Sequence, residues 1–282
     1  MTDQPINLDA LLPPAMAAKA EDLGVKKANL KAFNMFMLAV LAGAFIGIGA
    51  IFATTAAAGG AALPYGVNRL LVGFVFTVGL ILVVVGGAEL FTGNTLITMA
   101  FASKKVTLLQ LLRNWGIVYV GNLIGSIATA YIVFLGKQYT FGSGAIGLAA
   151  LGIGNAKVNL EFVQAIALGI MCNALVCMAV WMCYSARTTT DKILAIIPPI
   201  ACFVAAGFEH SIANMYFIPA ALFIKGDATF LTEIGKTAAD YVNLTWGNFF
   251  IANLLPVTIG NIIGGGLMVG LVYWLVYLRK SK

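Results

Sequence analysis

The sequence predicts an all-α fold, a six-span transmembrane helical bundle with inverted three-helix repeats and two broken helices, and three observations carry that expectation. The 282-residue chain is 61% hydrophobic and only 10% charged, with a mean hydropathy of +0.95, whereas a soluble domain is roughly half apolar and a quarter charged. Six apolar runs approach the roughly 20 residues that cross a bilayer. Two of those runs are interrupted by short polar stretches that resemble each other.

Taken in order, residues 1–30 mix polar and apolar side chains around Pro13 and Pro14. They lack the basic start and apolar core of a cleaved signal peptide. Ala15 to Leu30 suits a short amphipathic helix on the membrane surface, a plug at a pore mouth, or a plain tail. The apolar runs follow at Phe33 to Thr54, Leu70 to Leu90, Leu111 to Leu135, Val163 to Tyr184, Ile193 to Phe208, and Phe249 to Tyr277. This divides the chain into an N-terminal segment, 1–30, and a transmembrane domain, 31–282, with repeats at about 31–140 and 158–280.

Six spans put both termini on one side, and the basic residues choose the side. Of the 17 lysines and arginines, only Arg69, Lys137, Lys157, Lys225 and Lys236 fall on the face away from the termini. Cytoplasmic loops are the Lys/Arg-rich ones, so both termini are expected in the cytoplasm. The net charge of +6 sits at the ends of apolar runs and not in a long basic stretch, which points to the lipid bilayer as partner and away from nucleic acid.

The second run breaks at Leu90-Phe91-Thr92-Gly93-Asn94 and the fifth at His210-Ser211-Ile212-Ala213-Asn214, each resuming as an apolar piece too short to span. Irregular backbone at membrane depth is tolerated only where protein or a water-filled cavity covers it, so such breaks flank transport paths. Gly87 to Asn94 aligns with Gly207 to Asn214 at Gly, Glu and Asn, and Gly121-Asn122-Leu123-Ile124-Gly125 returns as Gly260-Asn261-Ile262-Ile263-Gly264. Matches in the same order indicate an internal repeat. Three spans per half is an odd number, so the halves insert with opposite orientation. Gly pairs four apart, such as Gly43 with Gly47, allow close helix packing within or between subunits.

The ionisable residues at the two breaks are Glu89, Glu209 and His210. A charge at mid-bilayer costs about 2.5–3.5 kcal/mol on insertion scales, so their place beside the two breaks needs a reason. The glutamates suit either a polar path or the bracing of backbone N–H groups freed at the breaks. His210 is the only histidine, and imidazole, with an ordinary pKa of about 6.5, is the side chain suited to exchanging protons near neutrality. Asn94, Asn173 and Asn214 could offer amide donors to a passing anion and Thr92 a hydroxyl, with an interhelical hydrogen bond the alternative for Asn173. Phe76, Leu80, Leu90, Phe91, Val176 and Phe203 are candidates for apolar constrictions. No phosphate-binding loop, metal-ligand cluster or nucleophilic triad occurs, and the four cysteines lack paired spacing. Neither an enzyme nor a cofactor or metal site is expected. Asn-Pro-Ala is absent and the single histidine excludes a twin-histidine conduit.

The run Gly207-Phe208-Glu209-His210-Ser211-Ile212-Ala213-Asn214-Met215, with Leu11-Leu12-Pro13, Val180-Trp181-Met182 and Pro256 to Gly266, resembles the formate/nitrite transporter family and its bacterial formate channels most. The resemblance implies an aquaporin-like inverted-repeat fold, a homopentamer with one pore per subunit, and a bacterial inner-membrane location. It implies transport of formate and related small monocarboxylates or monovalent anions, either passive or proton-linked through a central histidine. His210 would lie between two apolar constrictions, Thr92 on the first break, and Lys157 at the outer mouth as an anion attractor. Asn261 joins the pore residues and segment 1–30 becomes a candidate gate. Nitrite or hydrosulfide as main cargo, and a neutral-solute channel, are the alternatives.

Overall fold

The computed structural model describes residues 9–279. The chain folds into a helical bundle in which the main features of the first half return in the second. Pro13 at the first helical position opens α1 (Pro13–Ala28), where a missing N–H is harmless. The long apolar helices α2 (Ala32–Ala57) and α3 (Tyr65–Gly86) follow. Then come α4 (residues 91–102, with a tighter turn at Thr95–Ile97) and α5 (Leu108–Leu135), which opens on a Thr107–Gln110 capping box. The second half comprises α6 (Ala145–Val158), α7 (Phe162–Ser185), α8 (Thr189–Ala205), α9 (Ser211–Lys225), the short α10 (Ala228–Glu233), and α11 (residues 246–277).

Among the described residues, five helical stretches are long and apolar enough to cross a membrane: Ala32–Ala57, Tyr65–Gly86, Leu108–Leu135, Phe162–Ser185 and Ala238–Tyr277. The fifth expected run differs. It starts earlier, at Thr189, on a Thr188–Asp191 capping box, and ends at Ala205 after 17 residues. Exposed Phe33, Leu70, Ile132, Val163 and Ile251 leave the outer surface of the bundle apolar, which suits lipid or apolar protein contact and not water.

Both breaks are made the same way. Helix α3 stops because Gly87 takes φ +76°, and α8 because Gly207 takes φ +77°. The next amide turns back five residues into each helix, Ala88 N–H to the Val83 carbonyl at 2.9 Å and Phe208 N–H to that of Phe203 at 3.0 Å. This left-handed stop needs a residue without a Cβ. The chain then runs extended for three residues, pinned by Glu89 N–H to the Leu38 carbonyl and Glu209 N–H to that of Leu168. Helices α4 and α9 start from there.

Two features depart from the sequence reading. Segment 1–30 includes α1, which is seated on the bundle through Met16, Ala17 and Ala20 against Met99 and Trp181. Helix α11 contains π-helical turns at Phe249–Leu254 and Ile262–Leu271. There, Thr98 donates to the Gly266 carbonyl and Asn173 to that of Asn261, so carbonyls released from the regular ladder have side-chain donors.

Candidate functional site

Each break is fixed by one asparagine from the third long helix of its half. Asn122 donates to the Ala39 and Glu89 carbonyls at 2.7 and 2.9 Å and accepts from Phe91 N–H at 2.9 Å. Asn261 donates to the Gly169 and Glu209 carbonyls at 2.8 and 2.9 Å and accepts from Ser211 N–H at 2.9 Å. All of the Asn261 amide is thus spent on backbone. It clamps the break, and the expected pore contact is corrected to that role.

The glutamates are likewise braced in matching clusters. Glu89 accepts from Lys27 at 2.7 Å and from Asn94 at 2.7 Å, and Asn94 also donates to Asn114. Glu209 accepts from Lys157 at 2.8 Å and from Asn214 at 2.6 Å, and Asn214 also donates to Asn253. Asn114 and Asn253 in turn bond the backbone carbonyls of Lys27 and Lys157. The expectation that Asn94 and Asn214 present amides to an anion is therefore replaced: their N–H groups hold the carboxylates. Asn173 also spends its amide hydrogens inside the protein, on the Thr92 and Asn261 carbonyls and the Thr95 hydroxyl. The interhelical alternative describes it.

Because Lys27 and Lys157 play the same part, α1 and α6 belong to the repeat, which starts earlier than residues 31 and 158. The sequence held the signal: Lys-x-Asn-Leu occurs at Lys27 to Leu30 and again at Lys157 to Leu160. Lys27, Asn114 and Asn253 are the site residues that sequence reading missed.

Between the clusters runs a line of cavities. One of about 400 Å³ is bordered by Lys26, Lys27, Glu89, Leu90 and Leu80. The other, of about 320 Å³, is bordered by Lys157, Glu209, His210, Phe76 and Phe203. A void of about 10 Å³ separates them, lined by Ile46, Phe76, Leu80, Val176, Ile200, Phe203 and His210. Since a single water needs roughly 10–15 Å³, this is an apolar narrowing, with room for about one water and with one polar side chain in its wall. Five of the six constriction candidates border these spaces. Phe91 instead packs edge-on to Trp115 and Tyr119, at 6.0 and 5.0 Å between ring centroids.

His210 is positioned from both sides. Its Nδ1 accepts the Ala213 N–H at 3.0 Å, making it the cap of α9. Its Nε2 lies 3.0 Å from the Thr92 hydroxyl, and its ring stacks on Phe203 at 5.8 Å. With Nδ1 accepting, the neutral ring carries its proton on Nε2 and donates to Thr92. The Thr92 hydroxyl hydrogen then remains to be offered elsewhere. Glu209 faces Lys157 and Asn214, and the group that orients the histidine is the Ala213 amide. No cluster of three or more His, Cys, Asp or Glu suited to a metal occurs among the described residues.

The family model described as formate/nitrite transporter matches residues 14–275. The formate channel FocA of Escherichia coli K12 is 47% identical over 275 residues, covering 97% of this chain and 96% of its own. The FocA of Haemophilus influenzae is 39% identical over 281 residues, covering 99% and 98%. A solved structure described as a pentameric formate channel with formate bound matches with a TM-score of 0.83 at 49% identity, over 88% of this chain and 98% of that one. An FNT family ion channel matches with a TM-score of 0.80 at 28% identity, over 93% and 98%.

Proposed function

The chain belongs to the formate/nitrite transporter family, and on that basis we propose that it carries formate and related small monovalent anions across the bacterial inner membrane. The working unit is a homopentamer with one pore per subunit, six spans in each chain and both termini in the cytoplasm. The twelve-to-five distribution of Lys and Arg supports that orientation. The Lys27 cavity is then the inner mouth, the Lys157 cavity the outer one, and α1, which brings Leu23, Lys26 and Lys27 to the inner cavity, is suited to gate it.

The observation that carries this reading is the hydrogen-bonded pair of Thr92 and His210 at an apolar constriction whose two sides each open on a lysine-bearing cavity. A bare carboxylate loses several kcal/mol of hydration in such a passage. Protonating it first, for an acid of pKa about 3.5, costs about 5 kcal/mol at neutral pH. The His210 Nε2–H is donated to Thr92, so the Thr92 O–H is the donor of the pair left for a solute that has shed its water.

In this reading proton coupling runs through the same histidine. A proton reaching Nδ1 displaces the Ala213 N–H, so the about 0.5–2 kcal/mol of a lost helix cap adds to the cost of charging a buried ring. The resulting imidazolium pairs with the anion in the narrowing.

The test is formate uptake into proteoliposomes near pH 7 and near pH 5, for the natural chain and His210→Phe, with nitrite as competitor. The proposal expects pH-dependent formate uptake that His210→Phe abolishes or grossly alters while assembly survives. Natural-type uptake by that variant would remove the histidine from the mechanism, and no movement of either anion by the natural chain would remove the transport assignment.

A further inference from the structure

The two halves match at the breaks, the clamps and the lysine–glutamate clusters, and against that match one cation stands out. Arg69, in the first turn of α3, crosses to the end of α8. Its Nε donates to the Ala205 carbonyl at 3.1 Å and its Nη2 to the Val204 carbonyl. Gly87 and Gly207 occupy equivalent places, and the same spacing pairs Arg69 with Thr189. No cation stands at that position in the other half.

Arg69 borders the cavity at the Lys157 mouth. The Lys157 ammonium there is matched by the Glu209 carboxylate, so Arg69 supplies the uncompensated positive charge. Holding the two carbonyls uses one edge of the guanidinium. The end-on edge, formed by Nη1 and the second Nη2 hydrogen, has no partner among the described residues. Two parallel N–H groups of that kind fit the two oxygens of a carboxylate, which an ammonium meets only as a point charge. The carbonyls it holds directly follow Phe203, the ring that borders the narrowing and stacks on His210.

We propose that Arg69 is a capture site for planar two-oxygen anions at the outer mouth, receiving a carboxylate on its end-on edge before the anion passes Phe76 and Phe203. At the inner mouth, the extra charge is Lys26, which has no fork. Recognition of the anion's shape is therefore one-sided. This inference rests on the transport reading and orientation given above.

The experiment measures initial formate uptake against concentration in right-side-out and inside-out membrane vesicles carrying the natural chain, Arg69→Lys or Arg69→Gln. Arg69→Lys keeps the charge and a carbonyl bond but loses the fork; Arg69→Gln keeps a donor but loses the charge. In right-side-out vesicles, the half-saturating formate concentration should rise about threefold for Lys and about tenfold for Gln, as for loss of a bidentate charged contact. The maximal rate should stay within about twofold, and inside-out vesicles should be unaffected. Chloride, a sphere, should compete with formate equally well in the natural chain and in Arg69→Lys. An unchanged half-saturation, or an equal fall of maximal rate in both vesicle types, overturns the proposal and leaves Arg69 as a cap of α8. A natural chain that takes up no formate in either preparation instead overturns the transport reading.

Discussion

The Thr92 hydroxyl and the His210 Nε2 lie 3.0 Å apart, and they join the two broken segments. Since the Ala213 N–H occupies Nδ1, the direction of this bond is set: histidine donates and threonine accepts. Threonine's own hydrogen is the donor left for the solute. Thr92→Ser keeps that donor and should retain conductance within a few-fold. Thr92→Ala leaves the Nε2–H without its acceptor and removes the second donor, losses of about 1–3 kcal/mol each for a buried group, so conductance should fall at least tenfold or selectivity should change. Single-channel currents in formate separate the two, and an unchanged Thr92→Ala pore would make the residue structural.

Close approach of helices is carried by glycines that the repeat duplicates. A Cβ on Gly125 would lie 2.0 Å from the Val40 carbonyl oxygen, and one on Gly264 2.1 Å from that of Ile170. Backbone stands in the way in both cases, so the helices themselves would have to separate. Gly125→Ala and Gly264→Ala should each abolish or sharply reduce the folded protein recovered from membranes. Gly116→Ala, in the same helix as Gly125 but with nothing within 4 Å of its Cβ, should be recovered normally. Size-exclusion profiles in detergent check all three. Normal recovery of both first variants would show that the contacts can relax.

How much of this was legible beforehand differs by residue. Gly87 with Gly207, and Asn122 with Asn261, were visible as a repeat because their identity is dictated by local backbone geometry that both halves share. The clusters were not read, because Lys27 and Asn114 lie on helices far from Glu89 in sequence and join it only after packing. Asn94, Asn214 and Asn261 were assigned to the pore because polarity at membrane depth reads as function; in the fold, each is consumed by the backbone or carboxylate that the break exposes. Phe91 follows the same lesson, since its place in the segment does not tell which way the ring turns. Arg69 was seen only as one of five basic residues on the outer face.

The asparagine clamps predict a shared failure. Leucine at Asn261 fits the space of the side chain but leaves the Gly169 and Glu209 carbonyls and the Ser211 N–H without their partner. At about 1–3 kcal/mol for each buried group, Asn261→Leu should lower the detergent melting temperature by many degrees, and Asn122→Leu should do the same at the other break. Thermal unfolding followed by tryptophan fluorescence measures this. A shift of a degree or less in either variant would mean that the breaks hold their shape unaided.

The lysine–glutamate pairs should respond unequally to substitution, and burial decides the order. The side chain of Lys157 is 15% exposed and that of Lys27 is 30% exposed, while Glu209 and Glu89 are 6% and 7% exposed. Removing the lysine strands a buried carboxylate, which costs about 3–5 kcal/mol where water cannot reach it. Lys157→Met should therefore destabilise more than Lys27→Met, since the more exposed Lys27 already shares its carboxylate with water. Lys157→Met combined with Glu209→Gln removes both charges and leaves the amide of Asn214 an acceptor. It should recover much of the lost stability. Melting temperatures of the singles and the double form a cycle that measures the coupling. If the double melts no higher than Lys157→Met alone, the lysine is holding the fold through contacts other than Glu209, and the matching clusters are then alike in geometry but not in energy.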